Sequence, residues 1–110
     1  MSTSLGPYLL ALGITLLVEV PVVALVFRAR WQRMALVCAT ATLLTHLLMH
    51  HVLITLLPDQ ESWLLVGEAQ AVILEAAAYA WLSRPRDLSR ALIASAAANT
   101  LSFAAGWLVF

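Results

Sequence analysis

Two glutamates interrupt long apolar stretches of this 110-residue chain, and their carboxyl groups have the clearest chemical potential. Glu19 lies nine residues before Arg28, and Glu75 lies nine residues before Arg84. At a rise of about 1.5 Å per helical residue, both lie roughly 13 Å from an arginine-marked boundary. An ionised carboxylate costs about 3 kcal/mol at the centre of a membrane-inserted helix. Carboxyl groups at this depth are therefore candidates for holding a proton, a cation or a polar ligand.

Other polar residues fall near the same depth on different apolar stretches. Thr42 and Asn99 each lie nine residues after an arginine, and His46 follows Thr42 by one helical turn. His50 and Glu68 lie further toward the opposite boundary, one turn from His46 and two turns from Glu75 respectively. We predict a polar site near the bilayer midplane that serves ligand binding or proton relay. Its candidate residues are Glu19, Thr42, His46, His50, Glu68, Glu75 and Asn99.

The two histidines also have metal-ligand spacing. His46 and His50 are four residues apart, so one helix face can present both imidazoles to a single ion. Glu75 or Glu68 could complete a histidine–carboxylate set that suits zinc, iron or manganese. A divalent metal ion is therefore one candidate cofactor. Leu47 occupies the position of the catalytic glutamate in an HExxH motif, which argues against a metalloprotease.

A purely structural interpretation covers several of these residues. Thr42, Asn99, Thr45 and Ser102 are most simply explained as hydrogen-bonding contacts between helices, each worth about 1 kcal/mol. Ionisable groups deep in a span differ, because their cost makes them functional candidates by default. By that reasoning, Glu19 and Glu75 are the strongest candidates for functional residues.

Composition identifies the surroundings of this site. Hydrophobic residues make up 63% of the chain and charged residues only 11%. A soluble domain is roughly a quarter charged, so a soluble globular fold is excluded. The formal net charge is zero, which leaves no basic field for nucleic acid. One cysteine excludes a disulfide scaffold. The lipid bilayer is the expected partner.

Four apolar stretches are long enough to cross a bilayer as helices, at about 5–27, 34–57, 63–82 and 88–110. The alternation of membrane β-strands is absent. The four stretches occupy nearly the whole sequence. We predict one integral membrane domain over residues 1–110, with an all-α transmembrane four-helix bundle.

The arginines predict the orientation of the bundle. All six basic residues lie in the first and third connections between the spans. Short loops rich in arginine stay on the cytoplasmic side of a membrane. The protein is therefore expected to be a multi-pass protein of the cell membrane with both termini outside the cytoplasm.

An internal repeat is predicted from matched offsets. Each half carries a glutamate, two arginines after it, a third arginine in the loop, and then an amide or hydroxyl and a second hydroxyl. We interpret the halves, about 1–57 and 58–110, as two tandem helical hairpins. A pseudo-two-fold axis along the membrane normal would relate them.

A homo-oligomer, most simply a dimer, is predicted from the small size of the bundle. Four closely packed helices are expected to leave little room for a hydrated path through one copy. The candidate contact is a ridge of small residues on the last span, at Ala94, Ala98, Ser102 and Gly106. The same ridge could equally pack inside one copy, where it would bring Asn99 toward Glu19 and Glu75.

Three functions are compatible with this sequence, and no motif assigns the chain to a family. The leading hypothesis is binding or translocation of a small cation, a metal ion or a proton-coupled solute. The first alternative is an intramembrane enzyme that acts on a lipid or isoprenoid, with Glu75 and His46 as acid and base. The second is a non-catalytic subunit that docks onto a larger membrane complex.

Overall fold

Four long helices account for most of the chain in the computed structural model, which describes residues 5–57, 59–83 and 87–109. They are α1 (Leu5–Val26), α2 (Trp31–Leu48), α3 (Gln60–Leu82) and α4 (Leu88–Val109). A short 3₁₀ turn, Arg28–Arg30, joins the first two. Each helix is long and apolar enough to cross a membrane. The predicted all-helical architecture with four spans is confirmed.

The helices place apolar side chains outward and polar side chains inward. On α1, Leu17 is 76% exposed and Leu25 is 67% exposed, whereas Glu19 is 1% exposed. This arrangement is unfavourable in water, because exposed apolar surface costs free energy there. It suits a lipid environment, in which the hydrocarbon tails cover the leucines.

The predicted second span is continuous, but its last third departs from α-helical geometry. After Leu48 the chain forms a π-helical segment, Met49–Leu53, and then a short α-helical end, Ile54–Leu56. The indole nitrogen of Trp63 on α3 donates a hydrogen bond of 2.8 Å to the carbonyl oxygen of Met49. The π-helical segment is therefore held against the beginning of α3.

The helices form a ring in which α1 and α3 each pack against both α2 and α4. Two arginines tie the ring together at one end. Arg33 Nε donates to the carbonyl oxygen of Leu82, and Arg90 Nη1 donates to that of Val26, both at 2.8 Å. We call this the arginine end; the loop residues Arg84 and Arg86, also predicted to lie there, are outside the described residues. The opposite end, where Trp63 and Trp107 lie, is the tryptophan end.

Asp59 begins α3 at the tryptophan end. Its carboxylate accepts hydrogen bonds from the backbone N–H of Ser62 at 2.7 Å and from the Ser62 hydroxyl at 3.2 Å. These bonds favour the charged form and lower the pKa of Asp59. An N-cap of this type satisfies a backbone donor that has no partner within the helix.

The small-residue ridge of α4 packs inside the bundle. Ala94 and Ala98 are completely buried, and Ser102 is 8% exposed. The ridge therefore brings α4 close to the other helices of the same chain. Of the two placements predicted for the ridge, the structure shows the one inside a single chain, and the homo-oligomer stays a prediction.

Candidate functional site

The two predicted carboxyl groups meet in the middle of the bundle. Glu19 on α1 and Glu75 on α3 are each 1% exposed. Ser102 and Asn99, three residues apart on α4, each donate a hydrogen bond to one of them, so the two carboxyl groups are neighbours. Two adjacent buried carboxylates disfavour each other's ionisation, so a proton shared between them would be stabilising. We call these two groups the carboxyl pair.

Glu19 accepts hydrogen bonds from two neighbouring helices. The hydroxyl of Thr42 on α2 donates to Oε1 at 3.2 Å. The hydroxyl of Ser102 on α4 donates to Oε2 at 2.6 Å. Both oxygens of this carboxyl group are therefore positioned by side chains from outside α1.

Glu75 is held by three donors. Its Oε1 accepts from the amide of Asn99 on α4 at 3.0 Å and from the hydroxyl of Tyr79, one turn along α3, at 3.4 Å. Its Oε2 accepts from the hydroxyl of Thr45 on α2 at 3.0 Å. The same Asn99 amide nitrogen also donates to the carbonyl oxygen of Ser95 at 2.8 Å, which fixes its orientation.

A cavity of about 430 Å³ extends from the carboxyl pair toward the tryptophan end. All four helices contribute to its walls. Among the residues of its floor are Glu19, Thr45, Glu75, Asn99 and Ser102, whereas the walls nearer the tryptophan end include Ala11, Trp63, Leu64, Phe103 and Trp107. A single chain therefore encloses the space that we expected to find only between two copies. Side chains that fill a narrow bundle would have closed it, but small residues on α1, α3 and α4 leave it open.

The histidines lie on the wall of this cavity and not on the carboxyl pair. The rings of His46 and His50 stack with their centroids 5.6 Å apart, and His50 contacts the edge of Trp63 at 5.2 Å. The Nδ1 atom of His46 is buried and has no hydrogen-bond partner within the described residues. Glu68, also predicted from the sequence, lines the same cavity.

Gln70 is a second cavity residue with an unsatisfied polar atom. Its amide nitrogen donates to the carbonyl oxygen of Thr45 at 3.3 Å, which orients the side chain. Its Oε1 atom is buried without a partner among the described residues. Buried polar atoms normally find partners, so an unpaired acceptor that faces a cavity is available to a polar ligand.

The predicted metal-ligand set does not converge. Within residues 5–57, 59–83 and 87–109, no group of three or more His, Cys, Asp or Glu side chains could hold a metal ion. His46 and His50 stack ring on ring, and Glu75 is engaged by Asn99, Thr45 and Tyr79. The trio His46, His50 and Glu75 therefore stays a prediction without a formed coordination site.

No arginine neutralises the carboxyl pair in the described part of the chain. Arg90 forms an ion pair with Asp87 at 3.2 Å, but this pair lies at the arginine end of the bundle. Arg33 is engaged with a backbone carbonyl at that same end. Hydroxyl and amide donors stabilise the pair, and two adjacent ionised carboxylates without a cation would still repel each other strongly.

The structure unites four of the seven predicted site residues around the carboxyl pair: Glu19, Thr42, Glu75 and Asn99. The other three, His46, His50 and Glu68, lie along the cavity. Sequence reasoning assigned Thr45 and Ser102 to hydrogen bonds between helices, and the structure shows that their partners are the two carboxyl groups. Their matched offsets from Arg33 and Arg90 were the available signal. Gln70 was not singled out, because a single amide within a span has no distinctive spacing.

No family model, curated protein or solved structure matches this chain. The function of the site is therefore inferred from the chemistry of its own residues.

Proposed function

We propose that this multi-pass membrane protein binds a small cationic or proton-coupled solute in the cavity, with the carboxyl pair as the group that exchanges a proton. The observation that carries the proposal is the position of the pair. It forms the buried floor of a cavity that extends to one end of the bundle. Interhelical packing alone would need hydrogen bonds, but it would need neither two carboxyl groups in contact nor a cavity above them.

The proton is part of this proposal because of the local electrostatics. A single shared proton leaves one negative charge on the carboxyl pair, and the surrounding hydroxyl and amide donors stabilise that charge. A cation that enters the cavity can bind this charge or replace the proton. Other titratable groups face the same region: Tyr79 from α3, Cys38 and His46 from α2, and Glu68 from α3.

The predicted tandem repeat is part of the same proposal, because several contacts occur in matched pairs. Each glutamate accepts a hydrogen bond from the partner helix of its own hairpin and one from the other hairpin. Arg33 and Arg90 each donate to the backbone at the end of a helix in the other hairpin. Exchanging the hairpins converts each contact into its counterpart. The matched pairs are Glu19 with Glu75, Thr42 with Asn99, Thr45 with Ser102, Arg33 with Arg90, and Val26 with Leu82.

A pseudo-two-fold repeat supports translocation because two similar halves can rearrange around a shared central site. In this structure the arginine end is closed. Phe27, Met34 and Tyr79 are buried between the carboxyl pair and that end, and the rings of Phe27 and Tyr79 meet edge to face at 6.5 Å. Transport would require a second state in which these contacts separate.

The proposed orientation places the arginine end in the cytoplasm and both termini outside. The cavity would then open toward the outer side of the cell membrane. The distribution of arginines supports this orientation, and reporter fusions at the two termini would test it. A homo-oligomer remains a further proposal, although one chain already encloses the cavity.

A ligand screen at two pH values tests the proposed function. Purified protein in lipid nanodiscs would be screened for small solutes that raise its unfolding temperature. For a cation that competes with one proton, the Kd should decrease by up to about tenfold per unit rise in pH. Glu19→Gln and Glu75→Gln should abolish this pH dependence. Glu61→Gln, an exposed glutamate in the first turn of α3, is the matched control and should retain it.

One result of this screen would contradict the proposed function. Solutes that bind wild type, Glu19→Gln and Glu75→Gln with the same pH dependence would assign the carboxyl pair a structural role only.

A further inference from the structure

The floor of the cavity is rich in hydrogen-bond acceptors. With one shared proton the carboxyl pair carries one negative charge, and Gln70 Oε1 is a buried acceptor without a partner in the described structure. His46 Nδ1 is also buried without a partner there, and it accepts a hydrogen bond when the neutral ring carries its proton on Nε2. The hydroxyl and amide donors nearby are already engaged with Glu19 and Glu75. A ligand that completes this floor must therefore supply N–H or O–H donors.

The charge of the cavity excludes an anionic ligand. Glu68 adds a third carboxyl group to the wall, and no arginine lines the space within the described residues. The arginines Arg33 and Arg90 donate to backbone carbonyls at the opposite end of the bundle. Within the described residues, the groups that line the way in from the tryptophan end are acidic, neutral or imidazole groups.

The upper part of the cavity is apolar and aromatic. Ile14, Leu64 and Phe103 contribute to its walls, together with the rings of Trp63 and Trp107. A cavity of about 150 Å³ holds one benzene molecule, so about 430 Å³ has room for an aromatic ring with a short chain. An inorganic cation would leave this apolar volume unfilled.

We propose that the cavity binds a primary organic ammonium ion with an apolar tail. The ammonium group lies on the floor between the carboxyl pair, Gln70 and His46, and the tail extends between Trp63 and Trp107. A primary ammonium has three N–H donors, which matches a floor of several acceptors, whereas a quaternary ammonium has none. This inference rests on the proposed function and specifies its ligand class.

Phenethylammonium is a suitable probe because it joins one ring to a primary amine that is charged at neutral pH. Its neutral counterpart is 2-phenylethanol, and phenylacetate is its anionic counterpart. Isothermal titration calorimetry in nanodiscs, corrected with empty nanodiscs, measures all three. We expect the ammonium to bind at least about tenfold more tightly than the alcohol, and the anion not to bind.

Variants of the two unsatisfied acceptors test the location of the ammonium group. Gln70→Leu and His46→Phe should each weaken phenethylammonium binding by about tenfold, because each removes one acceptor from the floor. Gln32→Leu is the matched control, since Gln32 is exposed near the arginine end, and its affinity should equal that of wild type. His46→Phe retains a planar ring, so loss of binding with retained helicity reports the lost acceptor and not lost packing.

Equal affinity for the ammonium and the alcohol, or unchanged affinity in both Gln70→Leu and His46→Phe, would overturn this inference. These outcomes are separate from failure of the proposed function. If another solute binds with a pH dependence that Glu75→Gln abolishes, the proton-linked site remains and only the ligand class is wrong. If no pH dependence is found for any bound solute, the proposed function itself fails.

Discussion

Asn99 is the residue whose amide joins the carboxyl pair to α4. Its nitrogen donates both to Glu75 and to the carbonyl oxygen of Ser95. Asn99→Ala removes both bonds in a buried setting, so we expect it to destabilise the protein by about 1–2 kcal/mol. Unfolding in mixed detergent micelles measures the loss. Thr100→Ala, at an exposed position on the same helix, should change stability little; an equal loss in both variants would contradict the assigned role.

The sequence predicted residue depth better than residue partners. Glu19, Glu75, Thr42 and Asn99 could be identified because their distance from an arginine converts directly to depth along a helix. Which donor meets which carboxyl group depends on how the helices rotate about their axes. That rotation comes from packing among all four helices, so the role of Thr45 could not be separated from simple interhelical bonding.

Gly67 controls how closely α3 approaches the π-helical segment of α2. A Cβ atom at Gly67 would lie 2.6 Å from Cε and 3.0 Å from Cγ of Met49, a buried side chain. Gly67→Ala must therefore displace Met49 and disturb the Trp63 hydrogen bond beside it. We expect a lower unfolding temperature because the buried Met49 side chain must repack, and a shift in tryptophan fluorescence because Trp63 is hydrogen-bonded to the backbone of Met49.

Gly13→Ala is the matched control for this element, because a Cβ atom at Gly13 meets nothing within 4 Å. Alanine has the higher helix propensity, by up to about 1 kcal/mol, so this variant should be neutral or stabilising. If Gly67→Ala were equally neutral, the close approach of the two helices would not limit stability.

The helix boundaries show which structural features the hydrophobic pattern of the sequence predicts and which it does not. The expected first and last spans agree with α1 and α4 to within a residue at each end that the structure describes. The π-helical segment at Met49–Leu53 was not predicted, because the change from i→i+4 to i→i+5 hydrogen bonding leaves the apolar composition unchanged. The segment contains His50 and accepts the hydrogen bond of Trp63. π-Helical segments occur frequently at functional sites.

At the scale of the whole molecule, the closed arginine end should act as a barrier to ions. Phe27 is 1% exposed and packs against Tyr79 on the cytoplasmic side of the carboxyl pair in the proposed orientation. Phe27→Ala removes a large part of this barrier, so proteoliposomes containing it should show faster proton leakage than wild type in a pH-dye assay. Leu25→Ala, on the outward face of the same helix, is the control and should leak no more than wild type. Equal leakage in all three proteins would place the barrier elsewhere.

The central claim is that the carboxyl pair holds a proton inside the bundle, and infrared spectroscopy measures this directly. Wild-type protein in nanodiscs at neutral pH should show a protonated carboxyl C=O band that is absent from the Glu19→Gln/Glu75→Gln double variant. Glu61→Gln should retain the band, because Glu61 is exposed at the beginning of α3. If the wild type and the double variant have the same protonated carboxyl signal at neutral pH, the pair holds no proton and the account is contradicted.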